Sequence, residues 1–243
     1  MTEPTGQRAT EFLAAFNAIE QELRDRLRAK DSDGMSWLSR KAGERRLLTP
    51  GDAGDLQEYS QLRNAISHGE YTDDLRPIAD PLPETVAHLQ LIRNRLLDPP
   101  TALGVLGNQE VRTVSPGEDI REVLHIIAGT DISQLPVYEG RQYVGLLTTN
   151  VIARWVAADL GDNSQLDART VREVLEFAES SDFAVFLPRT ATARETIDAL
   201  THPDTQKRLP VVAILTEHGK DSQAPIRVVG NSDLMELVKA AGA

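Results

Sequence analysis

The chain has 243 residues, 40% of them hydrophobic and 26% charged, with a net charge of −11; this leaves room for one large domain or two small ones and excludes a broadly basic, nucleic-acid-coating surface. No cysteine is present, so disulfides and thiolate metal sites are excluded. The five histidines (His68, His88, His125, His202, His218) include no pair at the spacing that turns two ligands to one helix face, so no metal site is expected.

At the N-terminus "MTEPTGQRAT" is polar and lacks an apolar core, so it does not read as a signal peptide. No apolar run approaches the roughly 18 residues of a membrane span, and a cytoplasmic protein with no membrane partner is expected. Residues 8–97 read as helical. Phe12, Phe16, Ile19, Leu23 and Leu27 recur every three or four residues, the mark of a long amphipathic helix. "DSDG" (31–34) breaks it. A second helix carries Met35, Trp37 and Leu38 and ends near Pro50 and Gly51; Asp52 suits the cap of a third. That third helix places Leu56, Tyr59, Leu62 and Ile66 on one face and stops at Gly69. "YTDDLRPIADPLP" reads as a loop, and Glu84–Leu97 as a fourth helix bearing Val86, Leu89, Ile92 (or Arg93) and Leu96. Four helices with short connections predict an antiparallel bundle over 1–98, followed by a Pro- and Gly-containing linker over 99–110.

Beyond the linker the periodicity changes. "VRTV" predicts a strand and "IREVLHIIAG" a helix. "QLPVYEGRQYVGLLTT" predicts two strands about a turn, and "NVIARWVAADL" a helix. The order then recurs: strand "FAVFLP", helix "RTATARETIDALTH", strands "RLPVVAIL" and "IRVVG", helix "NSDLMELVKAAG". This is a tandem β-α-β-β-α repeat, with copies at 111–160 and 170–241 joined by "TVREVLEFAES". The fold class is therefore α + α/β.

The repeat resembles the cystathionine-β-synthase (CBS) domain. The likeness rests on the strand–Pro–helix opening, on Leu135-Pro136-Val137 and Leu209-Pro210-Val211, and on "GLLTTNV" and "RVVGNSD". It implies a pair of repeats holding an adenine nucleotide (AMP, ADP, ATP or a relative) as a regulatory ligand in a cleft between them. Family members often end the last strand with Gly-x-x-Thr/Ser-x-x-Asp, whose Asp holds the ribose hydroxyls; a carboxylate accepts two hydrogen bonds at once. The second repeat keeps that acid as Asp233, beside Ser232, with Gly230 in place of the hydroxyl residue. Lys207 and Arg208 stand where basic groups often meet phosphate. By the same resemblance the pocket takes backbone from 106–109 and includes Ile132 and Ser133. The first repeat departs from the pattern: Gly145 and Thr148 are present, but Val151 stands at the ribose position. Asp233 also has a plainer reading, as an acid stabilising a helix N-terminus.

In the helical half, "LRNAISHGEY" (62–71) sets Asn64 and His68 on one face, with Arg63 about 140° away from His68. Histidine moves protons near neutral pH, and arginine forks onto phosphate. Together with an amide these suffice for metal-independent RNA cleavage through the 2′-OH, mainly if a two-fold mate supplies a second copy. A helical domain with Arg-polar-x-x-x-His at the end of its third helix resembles the HEPN domain (higher eukaryotes and prokaryotes nucleotide-binding). That likeness implies a homodimer or higher even oligomer, and a composite site in which Arg63, Asn64 and His68 cleave RNA. Tyr71 lies one residue too late for the His-x-Tyr subgroup. Arg40, Lys41, Arg45 and Arg46 offer a local guide for RNA or simply a solvated face. Trp37 reads as core. The plainer account pairs Arg63 with Glu58 or Glu70 and has His68 cap the helix. Two functions follow: a nucleotide-regulated endoribonuclease, or a non-catalytic ligand sensor that acts through partners.

Overall fold

In the computed structural model, residues 7–68, 79–163, 166–167 and 169–242 are described. The chain divides at Pro99/Pro100 into two compact units. In the first, the stripe of Phe12, Phe16, Ile19, Leu23 and Leu27 is the buried face of α1 (Gln7–Leu27). It packs most extensively along α4 (Pro83–Leu97), whose Val86, Leu89, Ile92 and Leu96 are also buried. α2 (Met35–Glu44) lies against α3 (Pro50–His68), and both also meet α1. One core joins all four helices, with Trp37, Tyr59 and Leu62 partly buried at its margin. Trp37, expected in the core, packs against it from the margin. The expected stop at Gly69, and Glu70 and Tyr71, fall outside the described residues.

The second unit contains the tandem repeat. Its first copy runs α6 (Ile120–Gly129), β1 (Gln134–Glu139), β2 (Gln142–Thr148) and α7 (Thr149–Asn163). β1 and β2 form an antiparallel hairpin, with Gln134 opposite Thr148 and Glu139 opposite Gln142. Gly140 turns the chain at φ 63, a left-handed value that glycine adopts without strain. The strand expected at "VRTV" shrinks to a single parallel bridge: Val114 N–H donates to Pro136 O (3.1 Å), and Tyr138 N–H donates to Val114 O (3.0 Å). Pro116 follows two residues later and has no N–H to extend it.

The second copy is complete. β3 (Ala184–Pro188) runs parallel to β4 (Val212–Thr216), and β5 (Pro225–Val229) pairs antiparallel on the other side of β4. α9 (Ala193–Thr201) lies between β3 and β4, and α10 (Leu234–Ala241) closes the chain after a 3-10 turn at Asn231–Asp233. β4 starts later than "RLPVVAIL" suggests. Asp204 accepts from the N–H of Gln206 (2.8 Å) and of Arg208 (2.9 Å), holding 204–208 in a turn, and Pro210 offers no donor.

Two short helices finish the repeats reciprocally. α8 (Val171–Leu175) follows the first copy and packs into its core through Val171 and Val174. α5 (Ala102–Leu106), within the stretch expected to be a linker, packs into the core of the second copy. Matching backbone pairs tie them. Ala102 donates to Ala191 O and Ala193 to Pro100 O, both 2.8 Å; Ile120 donates to Arg169 O and Val171 to Glu118 O, both 2.9 Å. Pro99, Pro100 and Gly104 look like linker punctuation, yet Ala102 is buried in that core and Leu103, Val105 and Leu106 pack against it. No helix among the described residues is long and apolar enough to cross a membrane.

Candidate functional site

α5 ends at Gly107 (φ 74), and the chain from there crosses the end of β5. Gln109 Oε1 accepts from Val228 N–H at 3.1 Å, fixing the crossing. A cleft of about 190 Å³ opens beside it. One wall is Gln109–Arg112, another is Asp131–Gln134 at the start of β1, and the third is β5 with the 3-10 turn behind it. Of the expected nucleotide residues, Ile132, Ser133, Gly230, Ser232 and Asp233 meet here.

Each oxygen of the Asp233 carboxylate accepts a hydrogen bond. Oδ2 accepts from Gly230 N–H (2.9 Å), the bond of a short helix cap. Oδ1 accepts from Nη2 of Arg227 (3.0 Å). Both side chains are mostly buried, at 15% and 18% exposure, so this pair is far better shielded from water than a surface ion pair. Arg227 Nη1 donates to Leu106 O (2.8 Å) and Gly107 O (3.2 Å), the free carbonyls at the end of α5. Its Nε is buried without a partner. Arg227 was not singled out in the sequence. The available signal was its spacing: Arg227, Gly230 and Asp233 repeat the intervals of Gly145, Thr148 and Val151.

Arg208 and Lys207 do not line this cleft. Arg208 forks onto Asp204 (Nη2 at 2.8 Å, Nε at 3.0 Å), donates to Ser180 O (3.2 Å) and lies 4.7 Å over the Phe183 ring. Lys207 is exposed, at φ 62 in the turn before β4. The chain brings Arg208 to Ser180 and Phe183, in the segment after α8 that corresponds to the one after α5 in the other copy.

That segment shows what became of the first-repeat site. Val151 is fully buried in the first core. Thr148 Oγ1 accepts from Val151 N–H (3.1 Å) and donates to Asp182 Oδ1 (3.3 Å). Asp182 in turn holds Arg154 and accepts from Glu179 N–H (2.9 Å). A carboxylate does stand near Thr148, supplied from after α8, and it is already neutralised and only 5% exposed.

In the helical unit, Arg63 is half-buried and Asn64 exposed. Arg63 Nη1 lies 3.4 Å from Asn64 Oδ1, and its Nε is buried without a partner. His68 is the last residue of α3; its side chain lies outside what is described. Lys41 pairs with Glu44 (2.7 Å) on the solvent side of α2. A polar group that the sequence did not single out joins α3 to α4. The Tyr59 hydroxyl is 2.9 Å from His88 Nδ1, and Asp52 and Asp55 lie 3.8 and 3.7 Å from the ring nitrogens. Arg95 takes Asp52 at 3.2 Å. Burial and the neighbouring acids Asp55, Glu58 and Asp52 push the Tyr59 phenol up. Only the folded chain brings the two helices together, so histidine spacing along the sequence could not reveal this group.

A family model described as the CBS domain matches residues 106–158, the first of the two repeats. No curated protein matches the chain. Solved structures that resemble it include CBSX2 in complex with AMP (10% identity, 59% of this chain and 99% of that one, TM-score 0.42). A putative signal-transduction protein with CBS domains from Burkholderia ambifaria is similar over 54% of this chain and 83% of its own (18% identity, TM-score 0.39). So is the CBS-domain-containing protein ATU1752 from Agrobacterium tumefaciens, over 57% and 89% (18% identity, TM-score 0.39).

Proposed function

We propose that the cleft at the end of β5 binds an adenine nucleotide and that the chain is a ligand-responsive regulatory protein. The observation that carries this reading is the convergence of Ile132, Ser133, Gly230, Ser232 and Asp233 on one cleft, within a chain whose 106–158 match the CBS domain. Asp233 supplies the acceptor for two ribose hydroxyls, and Arg227 and Arg112 supply positive charge for phosphate. A ligand bound at 100 times its Kd stabilises the protein by about 2.7 kcal/mol. AMP, ADP or ATP should therefore raise the melting temperature of the full chain, and Asp233→Ala should abolish the rise. An unchanged rise in Asp233→Ala sinks the assignment of the ribose site.

A second reading concerns the helical unit and rests on the Arg63–Asn64 pairing, which holds a guanidinium beside an exposed amide near the end of α3. With His68 these groups support metal-independent RNA cleavage in a homodimer, under control of the nucleotide cleft. Intact RNA after incubation with the protein, both with and without AMP, removes it.

A further inference from the structure

We infer that Arg227 selects phosphorylated over unphosphorylated ligands in this cleft, by exchanging Asp233 for the ligand's phosphate. The inference rests on the nucleotide reading above and adds a residue that the repeat pattern does not supply. Position 227 corresponds to Gly145 of the first repeat. There, the space above the glycine is filled from α8: a Cβ on Gly145 would sit 3.4 Å from the Leu175 side chain. In the second repeat the same space holds a guanidinium, which reaches the matching helix end at Leu106 and Gly107 with one arm and Asp233 with the other.

Three features make this an exchange device. Each Asp233 oxygen already accepts one bond, so a ribose that takes both oxygens competes with Nη2 of Arg227 for Oδ1. The cleft of about 190 Å³ is smaller than the roughly 300–1,000 Å³ of ordinary small-molecule sites, so part of its lining, Arg227 included, has to give way for a nucleotide to enter. The buried Nε of Arg227 has no partner, so the displaced guanidinium carries two donors on one edge. That edge matches two phosphate oxygens. A nucleoside monophosphate restores the charge pairing that its own ribose broke. A nucleoside cannot, and leaves a buried cation uncompensated. Nη1 stays on the two carbonyls throughout and fixes the pivot.

The test is titration calorimetry of the full-length protein with AMP and with adenosine. The parent should prefer AMP by about tenfold or more, the scale of one charged hydrogen bond. In Arg227→Gly, adenosine should bind more tightly than to the parent, and the preference for AMP should fall close to one. An AMP-to-adenosine ratio unchanged in Arg227→Gly overturns the exchange and leaves the nucleotide reading standing. Binding of neither ligand to any form overturns both. If Arg227→Gly does not fold, Arg227→Lys carries the test, since it keeps the charge but not the two-donor edge. Its ratio should fall below the parent's, and an unchanged ratio again overturns the exchange.

Discussion

Val151 and Asp233 hold the same place in the two repeats and have opposite surroundings. Asp233 stands at a cleft with Arg227 beside it; Val151 is fully buried among Ile120, Val123, Leu147 and Trp155. Restoring the acid by Val151→Asp therefore does not restore a site. Arg154 is already bound to Asp182, so the new carboxylate meets apolar walls without a free cation. The substitution should cost about 3 kcal/mol or more, the scale of an unpaired buried charge. Denaturant unfolding measures that loss, and calorimetry should still count one nucleotide per chain. A stable variant that takes up a second equivalent contradicts this account of the first repeat.

Among the elements, those with a long one-sided apolar stripe are legible in the sequence alone. α1 and α4 each bury the residues that their spacing selects, and the β1–β2 hairpin turns at the expected glycine. What failed to show was decided by distant partners. α5 is five residues long, too short for periodicity to register, and its apolar side is explained only by α9 and α10. Likewise, the resemblance to the CBS domain sets Lys207 and Arg208 where basic groups meet phosphate, in one pocket with Asp233. The turn built by Asp204 leaves Lys207 exposed and sets Arg208 against Ser180 and Phe183 instead. Arg227 was hidden because only the comparison of the two copies marks its position as unusual.

The β1–β2 hairpin also carries an alkaline signature. Tyr138 is buried at 7% exposure and its hydroxyl has no hydrogen-bond partner. Burial, with Asp221 nearby, pushes the phenol from 10.0 up to about 12. The folded chain thus keeps this proton to a higher pH than the unfolded chain does. Its contribution to stability is whole below pH 10, and it is lost as pH rises toward about 12. Tyr143, packed edge-on against Tyr138 at 5.6 Å, is pushed up as well, chiefly by burial. Tyr138→Phe should lie within about 0.5 kcal/mol of the parent at pH 7, because no bond is lost. It should lose less stability than the parent between pH 10 and 12. Equal losses in urea unfolding at pH 7 and pH 11 would count against burial of that hydroxyl.

At the scale of the whole molecule, the helical unit is built on one core and each repeat of the α/β unit on a core of its own. Within the α/β unit the chain order and the packing order differ. The first repeat is completed by α8, which follows it directly. The second is completed by α5, which precedes everything else in the unit. On a ribosome the first repeat can close as soon as its own short helix has emerged. The second cannot: α5 has to wait, with its apolar side unpaired, until β3, α9 and the last two strands are made. Pairing across such a separation is slow. The birth of this protein therefore has a vulnerable interval, and a nascent chain stalled before residue 193 would expose α5 to whatever chaperone or aggregate reaches it first.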